Sequence, residues 1–380
     1  MNIAVIGGGA SGIYYSLLRK KRHPEDKITI FEKEERIGRK VLATGNGHCN
    51  LLNRNIAPEM FNNPVVVAAA LNKYSYEDMA NVFESWGIPL MDRDGLIYPL
   101  SYSAKNIVNQ FISLLNQYKI AVKTSYKVSD YKNIGGKYYL GEDGPFDRIV
   151  FATGGCSSPK LGSDGSIINT LKKHGYKFAD MQPGLCPIKV KEKGLKSISG
   201  IRHHAMVSLC VSANAPAYVE EGEVLFKDDG LSGIVIFNVE SQYVRHYSNN
   251  KDVKIQLDLF PEYSERVLFE KLESSKRSNS EYLLGYLPKE LIVFLSQGSD
   301  KDNRWWANRL KNITFTIDKT YGFDSSQVSI GGVLSTNLKP SLESKSEKGV
   351  YFLGELVNID GICGGFNLSW ALLSALIASE

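Results

Sequence analysis

Three glycines near the start of the chain, with one acidic residue further along, have the types and spacing needed to bind a dinucleotide. Gly7, Gly9 and Gly12 fit the G-x-G-x-x-G pattern, and Glu32 follows Gly12 by twenty positions. In this pattern the first glycine permits a tight turn, the second lets the backbone approach a pyrophosphate, and the third lets helix and strand pack closely. Glu32 would accept hydrogen bonds from ribose hydroxyls, and its charge would repel a 2′-phosphate.

A buried strand, a glycine turn and a helix must position this motif. Residues 3–6 are apolar and lead into the glycines. A helical pattern then begins at Ala10 and Ser11, whose N–H groups and positive dipole end would face the phosphates. A second apolar run ends immediately before Glu32 and Lys33. This order of elements predicts a Rossmann-type α/β domain in which these residues contact the cofactor.

A polar, glycine-rich loop that follows Glu32 suits a long cofactor. Its cations can neutralise a pyrophosphate, and its glycines can expose backbone N–H groups to phosphate or to the edge of a flavin. The predicted cofactor contacts in this loop are Arg39, Lys40, Thr44, Gly45, Asn46, Gly47 and Asn50. A later buried strand ends in a similar turn, with predicted contacts at Ala152, Thr153, Gly154 and Gly155.

The C-terminal segment favours FAD over a nicotinamide cofactor. A strand ends at Gly354, Glu355 could bind a polyol such as ribitol, and a glycine pair opens a terminal helix. The N-terminus of that helix could face a ring that gains negative charge on reduction, as a flavin does. A nicotinamide dehydrogenase has no need for such a segment. The predicted FAD contacts here are Gly354, Glu355, Asp360, Gly364, Gly365, Phe366, Asn367 and Leu368.

The bulk composition predicts a cytoplasmic, globular enzyme. The 380 residues are 43% hydrophobic and 23% charged, with a net charge of +4. No apolar run reaches the roughly 18 residues of a membrane span, and no cleavable signal precedes the first strand. The five cysteines are scattered without a C-x-x-C motif, which is typical of free cytosolic thiols. The cysteines and six histidines form no pattern typical of a metal site, so no metal is expected.

The pattern of apolar and polar residues changes in the middle third of the sequence, and this change predicts an insertion. Residues 188–261 alternate apolar and polar side chains in short runs, which indicates a β-rich domain. Residues 262–325 show helical spacing and are predicted to form a small helical subdomain. The two flanking segments, 1–187 and 326–380, are predicted to form one FAD-binding domain.

Helical spacing also predicts two helices within the first segment. They cover residues 65–86 and 103–118. Short strands are predicted near 120–125 and 137–140, with a glycine turn just before the second.

Taken together, the motifs resemble the BaiN-like (YhiN-type) FAD-dependent oxidoreductases, also known as aminoacetone-oxidase-like flavoproteins. The resemblance rests on the opening glycines, the loop from Arg36 to Asn50, the turn 152–155 and the tail 364–371, and it touches 230–233 in the insertion. It implies a Rossmann-type FAD domain interrupted by a β-barrel-like unit and a small helical unit. It also implies reduction of conjugated C=C bonds, on steroid enones or on uridine in ribosomal RNA.

A few positions depart from the pattern that is usual in this family. His48 stands where Arg is usual, Phe366 replaces a common Tyr, and Asp228 and Asp229 occupy positions often held by His and Arg. We expect FAD binding to survive these changes and substrate choice to be affected.

Hydride transfer is the chemistry that these motifs favour. A reduced nicotinamide, NAD(P)H, would donate hydride to flavin N5, and N5 would pass it to an electron-poor carbon of the substrate. A nearby acid would then protonate the adjacent carbon. The candidates for that acid are Cys49, Cys363, His48 and Tyr102. No second G-x-G-x-x-G is present, so NAD(P)H is expected to bind only transiently.

Two alternatives stay open at this point. The first is a dihydrouridine synthase acting on ribosomal RNA, for which Arg304, Trp305, Trp306 and Arg309 could supply stacking and phosphate contacts. Residues 188–325 contain 19 basic and 19 acidic residues, whereas residues 100–180 contain 11 basic against 6 acidic. The second is a non-catalytic flavin-binding redox module. The substrate is therefore expected to be a small or RNA-borne unsaturated molecule, and the oligomeric state is open.

Overall fold

Residues 1–182 and 327–380 form one unit of the structure, here called the first unit, and residues 183–326 form the inserted unit. The structure is a computed structural model that describes residues 1–211, 215–250, 252–299 and 301–380. Each unit has its own cluster of buried apolar side chains. The predicted division of the insertion near residue 261 stays a prediction.

A five-stranded parallel sheet lies at the centre of the first unit. Its strands, in spatial order, are Val350–Phe352, Arg148–Phe151, Asn2–Ile6, Lys27–Phe31 and Ala121–Lys123. The two central strands carry near-continuous apolar runs because both faces of such a sheet are covered. The chain leaves Asn2–Ile6 in one direction and later returns on its other side at Arg148–Phe151. The carboxyl ends of these strands therefore form a topological switch point, where open parallel sheets bind ligands.

Helices cover the sheet, and the predicted Rossmann-type α/β fold is confirmed. The helices of the first unit are Ala10–Arg22, Arg39–Ala43, Pro64–Leu71, Tyr76–Ser85, Ala104–Gln117, Ile168–Lys173 and Phe366–Ala378. The helix predicted over 103–118 is confirmed. The single helix predicted over 65–86 is wrong, because two helices occupy this stretch. The second helix starts afresh at a capping box in which the Ser75 hydroxyl accepts from the Asp78 N–H.

Three smaller sheets complete the first unit. Two are antiparallel and three-stranded, and they are formed by Leu52–Asn53, Leu96–Pro99 and Leu90–Arg93, and by Lys132–Ile134, Lys137–Leu140 and Asp143–Phe146. The third is a two-stranded sheet of Phe178–Gly184 and Val328–Val333. The predicted strands near 120–125 and 137–140 are present as Ala121–Lys123 and Lys137–Leu140.

The inserted unit is a closed six-stranded barrel with five α-helices among its described residues. The barrel order is Ile188–Val190, Gly230–Ser232, Tyr218–Lys227, Arg202–Cys210, Lys254–Asp258 and Ile313–Thr320. The helices are Ile234–Gln242, Glu265–Glu273, Asn279–Leu283, Lys289–Ser296 and Asn303–Lys311. Four of these helices thus lie in the chain between the last two barrel strands, Lys254–Asp258 and Ile313–Thr320. Across the described residues of both units, no helix has the length and apolar character needed to cross a membrane.

Candidate cofactor site

Two of the opening glycines are required by close packing at the switch point. Gly7 has φ +110°, and a Cβ there would lie 2.3 Å from the carbonyl oxygen of Ala152. A Cβ on Gly12 would lie 2.1 Å from the carbonyl oxygen of Gly7. Glycine is therefore needed at both positions for the two strands and the following helix to meet.

Gly9 differs from these two glycines because nothing in the protein requires it to be glycine. Its backbone is extended, with φ −82°, and an added Cβ would meet no atom within 4 Å. Helix Ala10–Arg22 begins next to it, and no side chain of the described residues caps this helix end. Open space therefore lies in front of unsatisfied N–H groups and a positive dipole end, which fits the pyrophosphate of a dinucleotide.

The Glu32 carboxylate is held at the end of its strand by backbone donors. Its Oε2 accepts from the Gly8 N–H at 2.8 Å, and its Oε1 accepts from the Glu34 N–H at 2.9 Å. Burial raises the pKa of Glu32 above that of an ordinary carboxyl group. Because each carboxylate oxygen can accept more than one hydrogen bond, Glu32 can still receive ribose hydroxyls.

A cavity of about 50 Å³ opens beside Glu32 and is lined also by Gly7 and Thr153. Lys33 lines the same cavity, and its ammonium group pairs with the Asp164 carboxylate at 2.5 Å. The cavity thus lies between the glycine turn and the acid, where the nucleotide half of FAD is predicted to bind.

The predicted cations of the following loop have protein partners. Arg39 donates to the Glu34 carboxylate and, at 2.8 Å, to the carbonyl of Lys160. Lys40 forms an ion pair of 2.7 Å with Glu355, the residue expected to bind a polyol. The two predicted contacts from opposite ends of the chain are therefore neighbours, which the sequence alone could not reveal.

The segment Thr44–Gly47 forms a tight turn with left-handed backbone. Gly45, Asn46 and Gly47 have φ of 54°, 53° and 88°. The Thr44 hydroxyl donates to the carbonyl of Val41 at 2.6 Å, and a Cβ on Gly47 would meet nothing within 4 Å. The turn therefore presents backbone groups to open space, as a flavin-edge contact requires.

The C-terminal segment packs directly against the opening motif. Gly354 has φ +60°, and a Cβ there would lie 2.7 Å from the hydroxyl oxygen of Ser11. Its N–H donates to the Ser374 hydroxyl at 3.0 Å, and its carbonyl accepts from the Trp370 indole at 3.1 Å. Gly354 therefore contacts the first helix, Ala10–Arg22, and forms hydrogen bonds with the last helix, Phe366–Ala378.

The glycine pair at the start of the terminal helix meets the loop that contains Asn50. Asn53 donates to the Gly364 carbonyl at 2.7 Å. In the amide orientation that satisfies its neighbours, the Asn50 side-chain oxygen accepts from the Gly365 N–H at 3.2 Å. No side chain of the described residues caps helix Phe366–Ala378 at Gly365. This arrangement fits the predicted role of its N-terminus beside a flavin ring.

Other predicted contacts have a structural role in the same segment. Asn367 accepts from the Gly361 N–H and donates to the Gly361 carbonyl, each at 2.9 Å. Asp360 is buried, and its N–H donates to the side chain of Asn62 at 3.1 Å. Phe366 contacts Phe61 edge to face, and Leu368 packs on the core cluster of the first unit.

The turn after Arg148–Phe151 is held by the C-terminal segment. Ala152 continues the sheet by donating to the Ile6 carbonyl at 2.8 Å. Thr153 and Gly154 follow, and a Cβ on Gly155 would lie 2.3 Å from the Ser329 hydroxyl. The structure brings these predicted contacts to the switch point, while direct contact with FAD stays a prediction.

The four candidate proton donors lie in different surroundings. Cys49 has no exposed surface, and burial raises the pKa of its thiol to about 11. The Cys363 thiol is partly exposed and lies 3.9 Å from Gln327 Oε1. The His48 ring stacks on Tyr102, with ring centroids 3.9 Å apart. A fully buried thiol reaches a substrate poorly, so this geometry favours the other three, although each role stays a prediction.

Two neighbours of Tyr102 are not among the residues predicted from the sequence. The Arg93 guanidinium lies over the Tyr102 ring, 4.1 Å from its centroid. The Tyr98 ring meets Tyr102 at 5.1 Å, and burial raises the pKa of Tyr98. The signal available in the sequence was the short run 96–98 that follows a turn at Asp94 and Gly95.

Two further motifs have local structural roles in the inserted unit. Trp306 is fully buried, so its ring is not free for base stacking, whereas Trp305 packs on the same core and is only partly buried. Asp229 pairs with Lys189 at 2.6 Å and accepts from the Tyr321 hydroxyl. These contacts lower the pKa of Asp229 and account for an acid at this position.

Comparisons with known proteins agree with this geometry over the whole chain. Residues 1–380 match the family described as HI0933-like protein Rossmann domain. The chain is 31% identical to the 3-dehydro-bile acid delta(4,6)-reductase of Clostridium scindens, covering 100% of this chain and 98% of that protein. It is 27% identical to the ribosomal RNA dihydrouridine synthase of Haemophilus influenzae, covering 98% and 96%.

A solved structure shares the fold. The 3-ketosteroid delta1-dehydrogenase of Sterolibacterium denitrificans aligns with a TM-score of 0.53 at 8% identity, covering 99% of this chain and 98% of that one. At this identity the likeness concerns the fold alone.

Proposed function

The chain belongs to the HI0933-like Rossmann family, and we propose that this FAD-dependent oxidoreductase reduces a carbon–carbon double bond conjugated to a carbonyl group. The predicted family resemblance is confirmed. The observation that carries the proposal is the 31% identity, across the whole chain, to a protein named as a delta(4,6)-reductase. FAD would accept hydride from NAD(P)H and deliver it from N5 to the electron-poor carbon.

The residues of the first unit have distinct roles in this proposal. The N–H groups at the start of helix Ala10–Arg22, next to Gly9, bind the pyrophosphate, and Glu32 orients the ribose. The uncapped end of the terminal helix at Gly365 stabilises negative charge that develops on the ring during reduction. These roles need only backbone donors and one fixed carboxylate, all of which the first unit holds in place.

A proton must also reach the carbon next to the one that receives hydride. We propose that it comes from one of three side chains, His48, Tyr102 or Cys363. His48 Nδ1 lies 3.1 Å from the carbonyl oxygen of Tyr102, and the ring stack orients both side chains. A donor that is held in one orientation lowers the cost of reaching the transition state.

The proposal is tested with purified protein under anaerobic conditions. The bound chromophore is released by heat and identified, and stopped-flow absorbance then follows its bleaching by NADH and by NADPH. The reduced protein is next mixed with a 3-oxo-Δ4,6 steroid acid, and we expect the flavin band to return with formation of the reduced steroid. A colourless preparation that takes up no added FAD would refute the cofactor assignment. Rapid bleaching without reoxidation by any enone would refute the substrate class.

Ribosomal RNA is the second candidate substrate. It is favoured by the 27% identity to a ribosomal RNA dihydrouridine synthase and by the basic excess of residues 100–180, where Lys127, Lys132 and Lys173 are exposed. The same hydride and proton would then reduce the C5=C6 bond of uridine. Binding of an RNA fragment that weakens steeply with salt, together with flavin reoxidation by that RNA, would favour this candidate over the steroid acid.

A further inference from the structure

A second cavity lies wholly within the inserted unit and has no part in the cofactor site. Its volume is about 430 Å³, within the range of pockets that bind small organic molecules. Phe294 and Phe315 supply apolar walls, and Lys193 and Arg309 supply two cations. The combination of aromatic rings and basic groups is that of a site for an organic anion.

Arg309 is the side chain that makes the cavity unusual. It is half-buried, and its Nε atom is fully buried with no hydrogen-bond partner among the described residues. Within the same part of the chain, no carboxylate lies within 4.0 Å of its guanidinium nitrogens. Burial lowers the pKa of Arg309, and no neighbouring acid opposes that effect. A partly desolvated guanidinium without an acid partner favours an anion that can reach its terminal nitrogens, which are not among the fully buried atoms.

Among the described residues that line the cavity, the one acid already has a hydrogen-bond partner. Glu192 lines the cavity, but both of its carboxylate oxygens accept from the Thr316 N–H, each at 2.9 Å. Lys193 is exposed at the mouth of the cavity and adds a second positive charge. The electrostatic balance of the cavity therefore favours an incoming anion.

The apolar walls limit what that anion can be. Phe315 is buried, with 1% of its surface exposed, whereas Phe294 is half-buried and can present part of its ring. Gly194 has φ +90°, and a Cβ there would lie 3.6 Å from the Phe294 ring, in ordinary contact. An inorganic ion would leave the exposed part of the Phe294 ring uncovered, while a ring that bears one carboxylate would cover it and pair with Arg309 in a bidentate manner.

We propose that this cavity binds a small ring-bearing carboxylate, with the carboxylate on Arg309 and the ring against Phe294. The site lies in a different unit from the cofactor site and does not depend on the proposed reaction. Because an arginine binds a carboxylate through two parallel hydrogen bonds, the uncharged alcohol of the same shape should bind much more weakly.

The test is a ¹⁹F NMR titration of the full-length holoprotein with 4-fluorobenzoate. We expect saturable binding at one site, weakened at least about tenfold by Arg309→Gln. The matched control is Arg304→Gln, an exposed cation on the same helix that does not line the cavity, and it should bind like wild type. Phe294→Leu, which keeps Arg309, should also weaken binding. The neutral 4-fluorobenzyl alcohol should bind at least about tenfold less tightly than the acid.

Several results would overturn the proposal. No saturable binding of 4-fluorobenzoate would refute it, as would equal affinity in wild type and Arg309→Gln. Displacement by inorganic phosphate as effective as that by unlabelled benzoate would refute the contribution of the ring. Tighter displacement by a short RNA oligonucleotide would assign the cations to a phosphate backbone instead. FAD content and circular dichroism of each variant establish that it is folded.

Discussion

Glu240 gives the inserted unit a stability that depends on pH. This residue lies on helix Ile234–Gln242 and has no exposed surface. The Cys186 thiol donates to its Oε1 at 3.3 Å, and its Oε2 has no hydrogen-bond partner among the described residues. Burial raises the pKa of Glu240 to about 8, and the Cys186 contact and the charge of Arg245 oppose this shift without cancelling it.

The direction and size of the effect follow from the two protonation states. In the unfolded chain a glutamate titrates near about pH 4.3, so above that pH the native state holds a proton that the unfolded state has released. The free energy of unfolding therefore falls as pH rises toward 8, by about 1.4 kcal/mol per pH unit. Between about pH 5.5 and about pH 8 the loss attributable to Glu240 is about 3 kcal/mol.

Replacing Glu240 by Gln isolates this contribution, because the amide stays neutral throughout. Urea unfolding of wild type and Glu240→Gln, followed by circular dichroism, is measured across the same pH range. From the low to the high end of this pH range, the free energy of unfolding of the variant should rise by about 3 kcal/mol relative to that of wild type, since other groups titrate equally in both proteins. Glu262→Gln, which replaces an exposed acid of the same unit, is the control. Its free energy of unfolding, plotted against pH, should run parallel to that of wild type. A Glu240→Gln curve that also runs parallel would refute the reasoning.

Three further predictions concern the first unit. Gly9→Ala should keep its fold but lose FAD, because its methyl group enters the open space that the pyrophosphate is predicted to occupy. Gly12→Ala should fold poorly, because its Cβ would lie 2.1 Å from the carbonyl oxygen of Gly7. Flavin absorbance and circular dichroism distinguish loss of FAD from loss of fold. Cys49→Ala should lower the free energy of unfolding by about 1 kcal/mol, whereas Cys363→Ala should leave it unchanged. Slower flavin reoxidation in Cys363→Ala would therefore indicate a role of this thiol in the reaction and not a loss of stability. Trp370→Phe should cost about 1 kcal/mol in thermal unfolding, through one lost hydrogen bond, and an unchanged midpoint would contradict that role.

Local sequence was sufficient where a single element determines the outcome. The spacing of Gly7 and Gly12 predicted a tight turn and close packing of helix and strand, and both are present. The contact of Glu32 with a ribose stays a prediction, and in the structure its carboxylate accepts from the Gly8 N–H. The prediction from spacing was wrong over residues 65–86, where the apolar periodicity continues across the break between two helices. The break depends on the capping hydrogen bonds of Ser75, which a period-based argument does not weigh.

Long-range pairing could not be predicted from spacing. Lys40 and Glu355 were separately expected to contact the cofactor, and their ion pair across 315 positions follows only from the fold. The same holds for Cys49, which was a candidate acid because it lies in a polar loop. Its φ of 62° and full burial follow from the tertiary packing of that loop, which no local pattern encodes.

The two ends of the chain pack together because a single residue contacts both. Gly354 fits only without a Cβ against Ser11, and both of its backbone polar groups are satisfied by the terminal helix. A change at either helix must therefore disturb the other, since close-packed interiors leave no room for independent movement. The strands Phe178–Gly184 and Val328–Val333, which lead into and out of the insertion, pair with each other. The insertion thus leaves the first unit continuous around its switch point. We predict that a dinucleotide bound there stabilises both terminal helices together.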